Sequence, residues 1–190
     1  FPHWTIKEIY EQYESSLRTI SFGGRIFDNT EVKLGGLNEQ KEILEDIDNV
    51  IFLGCGTSYF AGLFGMSYFK YLCNFNVLQI FDGAEFTLED IPLIGNTLLI
   101  FLSQSGETKD LHRCVELGRN NNLFMLGVTN VVDSMIAREV HCGTYLNSGR
   151  EVGVASTKCF TSQVIALNLI ALWFSKIHNT GEYKRIKVLK

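Results

Sequence analysis

The sequence predicts an α/β fold: a three-layer αβα sandwich on a five-stranded, parallel, doubly wound sheet. Three observations carry the prediction. Short apolar runs recur at Val50–Leu53, Val77–Phe81, Leu98–Leu102, Leu123–Val128 and Val140–Leu146, as expected for strands buried on both faces. Stretches of helical periodicity lie between them over short connections, and this alternation gives a parallel sheet with helices on both sides. Two turns rich in glycine and hydroxyl residues, 54–58 and 103–108, follow the first and third runs. With 190 residues, 46% of them hydrophobic and 20% charged, the chain is long enough for one domain with a full core.

Taken in order, Thr5 to Ile20 places Ile6, Ile9, Tyr10, Tyr13 and Leu17 on one helical face, predicting an amphipathic helix that packs through them. Ser21-Phe22-Gly23-Gly24 ends it, and Leu37 to Ile47, entered from Gly35-Gly36, reads as a second such helix. Neither offers a reactive group, so both are expected to be packing elements. The βα alternation starts at the first strand, whose helix runs from Tyr59 to about Leu72 with aromatic residues around much of its circumference, suiting core or subunit contact. Helices are further expected over Leu111 to Arg119, Ser134 to Arg138, and Ser156 to Lys176.

Charge and composition exclude several classes of function. A net charge of −4 gives no electrostatic reason to expect a nucleic-acid partner. No apolar stretch reads as a membrane span, and the first residues lack the pattern of a signal peptide. Five cysteines with no Cys-x-x-Cys pair suit reduced, buried thiols in a cytoplasmic protein. His3, His112, His141 and His178 show no ligand spacing, so no metal is expected. Both ends read as cut: there is no initiator Met, and 182–190 reads as the start of a charged helix.

The third strand stops abruptly at Ser103-Gln104-Ser105-Gly106-Glu107-Thr108 and runs into a helix start. Such a junction leaves backbone N–H groups pointing at one spot, with the positive end of the helix dipole behind them. Ser103, Ser105 and Thr108 add hydroxyls and Gln104 an amide, which together make a phosphate cradle. The spacing is not that of a nucleotide P-loop. Taken alone, the turn also fits a plain helix cap. Position favours the cradle: in the strand order 2-1-3-4-5 the first and third strands are neighbours at the switch point, where such sheets bind ligands. Turn 54–58 would then face turn 103–108, with Thr57 and Ser58 offering hydroxyls to a polyol, unless Ser58 merely caps its helix. Cys55 reads as a small buried hydrophobe. In Ser148 to Lys158, Val154 to Ser156 present backbone groups to a ligand. Lys158 is a cation near the site or simply exposed, and Glu151 reads as solvated or as a structural salt-bridge partner rather than catalytic. No two residues pair as general acid and base, so the chain reads as a binding site rather than a reaction centre.

Four ordered motifs now resemble a known family: Gly54-Cys55-Gly56-Thr57-Ser58-Tyr59, the 103–108 turn, Gly127-Val128-Thr129-Asn130, and Glu151 through Lys158. They are similar to the sugar isomerase (SIS) domain, and more narrowly to the isomerase half of the glutamine–fructose-6-phosphate amidotransferases. The Lys7-Glu8-Ile9-x-Glu11-Gln12 opening matches too, with Tyr13 where a proline is usual. The resemblance implies a linker helix region over 1–30 following a glutaminase domain, a first SIS domain over 31–178, and over 179–190 the start of a connection to a second SIS domain. It implies that Ser103, Gln104, Ser105 and Thr108 hold the phosphate of fructose 6-phosphate or glucosamine 6-phosphate. Thr57, Ser58, Val154 and Ser156 would line the sugar. The family's catalytic residues match none in this chain, so no turnover by it alone is implied. A homodimer is implied, with no metal, no pyridoxal cofactor and no membrane. The alternative is a non-catalytic SIS module sensing a phosphosugar in a regulator; what precedes residue 1 would discriminate the two.

Overall fold

The computed structural model describes residues 1–27 and 31–178. Five parallel strands, β1 (Asn49–Gly54), β2 (Val77–Asp82), β3 (Thr97–Ser103), β4 (Phe124–Thr129) and β5 (Cys142–Tyr145), lie in the order β2-β1-β3-β4-β5. Every residue of β1 and β3 is buried, as their unbroken apolar runs require.

Alternation along the strands divides the interior into two cores. Val50, Phe52, Leu98, Ile100, Leu102, Leu126 and Val128 face helices α5 (Thr57–Leu72) and α8 (Lys158–Ile177), together with the short helices α3 (Gly35–Asn38) and α4 (Lys41–Glu45). Ile51, Leu53, Leu99, Phe101 and Met125 face α6 (Lys109–Asn120) and α7 (Met135–Glu139). Helix, sheet and helix make three layers, as the sequence predicts. At the outer strand, α3 lies directly on β5: a Cβ on Gly36 would sit 2.6 Å from the Gly143 carbonyl oxygen. The Arg25 guanidinium takes the neighbouring Tyr145 carbonyl at 2.8 Å.

Four elements depart from expectation. The Leu37–Ile47 helix is two short helices, α3 and α4, which bury Leu37 and Leu44 respectively. β5 begins at Cys142, two residues late, because Val140 closes α7 as its C-cap. By length and mean hydropathy (1.3), α8 meets the test for a membrane span that no stretch was expected to meet. Its window is 61% buried inside the domain, as suits a core helix. The largest departure is at the start. The expected Thr5–Ile20 helix is α1 (Trp4–Tyr10) and α2 (Gln12–Thr19), and most of its apolar face points outward: Ile6, Ile9, Tyr10 and Tyr13 are exposed and Leu17 is half-buried. Glu8, Ser15 and Thr19 are buried instead. Glu8 and Thr19 turn inward because residues 146–157 form neither helix nor strand and their backbone polar groups need side-chain partners, while Ser15 bonds the Gln12 carbonyl of its own helix. The segment 179–190, read as leading out of the domain, lies outside the described residues.

Candidate functional site

The carboxyl ends of all five strands share one rim. Gly54 is in register with Asp82 on one side and Leu102 on the other; Ser103 pairs with Thr129, and Thr129 with Tyr145. Turns 54–58 and 103–108 therefore leave neighbouring strands side by side.

Hydrogen bonds lock both turns, the first from α8 and the second from within. Ser58 lies in the first turn of α5, not at its cap; the cap is Gly56, with no side-chain bond. The buried Ser58 hydroxyl accepts from Gln163 Nε2 of α8 at 2.9 Å. Ser103 is buried too: its Oγ accepts the Gly106 N–H at 2.9 Å and lies 3.0 Å from Thr108 Oγ1. It builds the turn's shape and is not presented at the surface. Ser105 Oγ accepts the Glu107 N–H at 3.1 Å. The side chains of Gln104 and Thr57 make no hydrogen bond among the described residues. Thr108 caps α6 without a side-chain bond to the first turn, so the leading N–H groups of that helix keep their donors for a ligand. Glu107 precedes the helix, and its carboxylate accepts the Met135 N–H at 2.8 Å, tying the turn to α7.

Sequence reasoning gave no role to Asn130, which joins segment 148–158 to the rim. Its N–H donates to the Gln104 carbonyl at 3.2 Å, its Nδ2 to the Gly149 carbonyl at 2.8 Å, and its Oδ1 accepts from the Ser148 N–H and hydroxyl. The available signal was an Asn just past a strand, a type that bonds nearby backbone readily. Glu151 is structural as a helix cap, not as a salt bridge: it accepts from Ser156 Oγ and from the N–H groups of Thr157 and Cys159 at the start of α8. Val154 projects fully into solvent.

Lys158 is the clearest correction. Expected as an exposed or ligand-facing cation, it is 2% exposed, and its Nζ donates to Glu11 Oε2 at 2.6 Å. That hydrogen bond is the main reason the Glu11 carboxyl titrates below its ordinary 4.5. Cys55 is half-buried, and burial pushes its thiol up to about 11, so it holds no thiolate nucleophile near neutral pH. No cluster of His, Cys, Asp and Glu suited to a metal occurs among the described residues. A cavity of about 650 Å3 opens at the other end of the sheet, bounded by Thr97 and Phe124 at the starts of β3 and β4. It lies far from these turns. The rim therefore offers oriented N–H groups, hydroxyls and an amide; its carboxylates Asp82, Glu107 and Glu151 accept backbone N–H groups, and Asp110 stands exposed in the first turn of α6. Such a surface suits a phosphorylated polyol.

Residues 43–173 match the SIS domain, and the chain belongs to that family. Among its relatives are proteins named glutamine–fructose-6-phosphate aminotransferase [isomerizing]. Those of Encephalitozoon cuniculi and Saccharomyces cerevisiae are each 37% identical over 195 residues; the matches cover 100% of this chain and 27% and 26% of the relatives. The chain thus spans about a quarter of their length. A solved C-terminal domain of glucosamine-fructose-6-phosphate aminotransferase from Francisella tularensis superposes with a TM-score of 0.85 at 29% identity, covering 100% of this chain and 52% of that one. A glucosamine-6-phosphate deaminase from Thermotoga maritima, 23% identical with a TM-score of 0.69, covers 98% of this chain and 52% of its own, and shares the fold.

Proposed function

We propose that this chain is the sugar-phosphate-binding half of the isomerase region of a glutamine–fructose-6-phosphate aminotransferase. That enzyme converts fructose 6-phosphate and glutamine to glucosamine 6-phosphate and glutamate. The observation that carries the reading is the adjacency of turns 54–58 and 103–108 at the ends of β1 and β3, at the switch point where doubly wound sheets take ligands. The similarity to aminotransferases over the whole chain supports the same reading.

In this reading the phosphate sits at the N-terminus of α6, against the amides of its first turn, Ser105, Thr108 and the Gln104 amide, with Ser103 holding the turn in shape. The sugar lies toward Thr57 and Ser58, walled by Val154 and Ser156. Residues 1–30 are a linker region, 31–178 the first SIS domain, and 179–190 the start of a connection to a second. The chain holds substrate while groups outside it do the chemistry. The protein is cytoplasmic, consistent with its five free thiols, and pairs as a homodimer through the isomerase region.

The test is kinetic. In the intact protein, Ser105→Ala combined with Thr108→Val is expected to raise KM for fructose 6-phosphate by about tenfold or more, each change removing a hydrogen bond to an anion. An unchanged KM would remove the phosphate from this turn.

A further inference from the structure

Residues 146–157 between β5 and α8 lack regular structure, and their backbone is held from three sides. Asn130 fixes 148–149 and Glu151 fixes 156–159. The stretch between them carries the fully exposed Val154, and it is held from a distant part of the chain. The Glu8 carboxylate of α1 accepts the Val152 N–H at 2.6 Å and the Gly153 N–H at 3.2 Å to both oxygens. No other hydrogen bond to the backbone of 152–155 is made among the described residues.

The arrangement is built for this contact. Glu8 is 1% exposed, and a buried carboxylate is tolerable only when strong donors surround it. Two successive N–H groups closing on one anion form a concave nest. A Cβ at position 153 would stand 2.6 Å from Glu8 Oε2, so a side chain there would displace the carboxylate from its present place on the Gly153 amide. The same helical stripe continues to Glu11, which takes the buried Lys158, and to Gln12, whose Oε1 accepts from Thr161 at 2.7 Å.

We infer that Glu8 is a positioning residue for the sugar site: by gripping the Val152 and Gly153 amides it sets the shape of the wall that presents Val154 and Ser156 to substrate. This rests on the reading of 154–156 as part of that site. Glu8 touches no reacting atom. It acts on ground state and transition state alike, so its loss falls on KM and not on kcat.

The experiment uses the intact protein with fructose 6-phosphate as the varied substrate, together with amide hydrogen exchange across 150–156. Glu8→Ala is expected to speed exchange at Val152 and Gly153 by at least about tenfold and to raise KM about tenfold, with kcat within about twofold, the loss of charge-assisted bonds. Glu8→Gln keeps an acceptor oxygen and recovers most of both effects. Gln12→Ala, a tie on the same face outside the site, lowers the melting temperature without moving KM. Faster exchange with unchanged KM would overturn the inference and leave the functional reading intact, as would a KM that rises equally in Gln12→Ala. Should Glu8→Ala fail to fold, Glu8→Asp takes its place, because it draws the carboxylate back by one methylene: faster exchange at Val152 and Gly153 with a raised KM is expected, and a wild-type KM decides against the inference. Wild-type protein that does not bind fructose 6-phosphate at all overturns the functional reading, and the inference with it.

Discussion

Glu11 sits between two ammonium groups, 2.6 Å from Lys158 Nζ and 3.2 Å from Lys7 Nζ. Its carboxyl titrates lower in the folded protein than in the unfolded chain, first because of the hydrogen bond from Lys158. A depressed carboxyl pKa stabilises the fold above the unfolded value and loses that contribution as pH falls through the folded value. Glu11→Gln is therefore expected to melt below wild type at pH 7, with the gap closing as both are acidified below about 4.5, the ordinary value; melting curves from pH 7 to pH 3 check this. A gap independent of pH would mean that the charge contributes nothing. Local pattern gave no hint of this pair, because its members stand 147 residues apart and a lysine in a helix's first turn is ordinarily exposed. The hydroxyls of turn 103–108 were legible as residue types. Which of them faces inward was not, since bonds within the turn turn Ser103 away from the surface.

At the scale of elements, strands and long helices followed from the sequence because their patterns are dictated by burial on both sides of one sheet. The first helices did not, because apolar periodicity assumes that a helix packs on an apolar surface. Here α2 packs on α8 and on an irregular loop: Glu8, Arg18 and Thr19 meet amides and carbonyls of the loop, Glu11 and Gln12 take Lys158 and Thr161 of α8, and Ser15 bonds within its own helix. Thr19 Oγ1 lies 2.8 Å from the Leu146 carbonyl. Thr19→Val keeps the shape, leaves that carbonyl without its donor, and is expected to cost about 1–2 kcal/mol. The exposed Ile9→Gln should stay within about 0.5 kcal/mol. Denaturant melts of the two variants compare them directly. Equal losses would restore the apolar face as the packing face.

For the whole molecule, apolar surface outside the two cores lies exposed on α5 as well as on α1 and α2. Phe60, Leu63, Phe64 and Tyr71 of α5 are exposed on the side of that helix away from Ala61, Met66 and Phe69. A patch of this kind suits a subunit contact, and it is the face through which the proposed homodimer would form. Sedimentation of the intact protein is expected to give a dimer, and Phe60→Glu with Phe64→Glu to shift it toward monomer; a dimer unaffected by the pair would move the contact elsewhere. The short α3 bears on the same question from the opposite side. With the Gly36 backbone pressed on Gly143 and the Tyr145 carbonyl already taken by Arg25, the β5 border is a plugged seam. A second chain arriving there finds helix where it would need a bare strand, so lateral growth of the sheet, a common route from folded monomer to fibril, is closed along that margin.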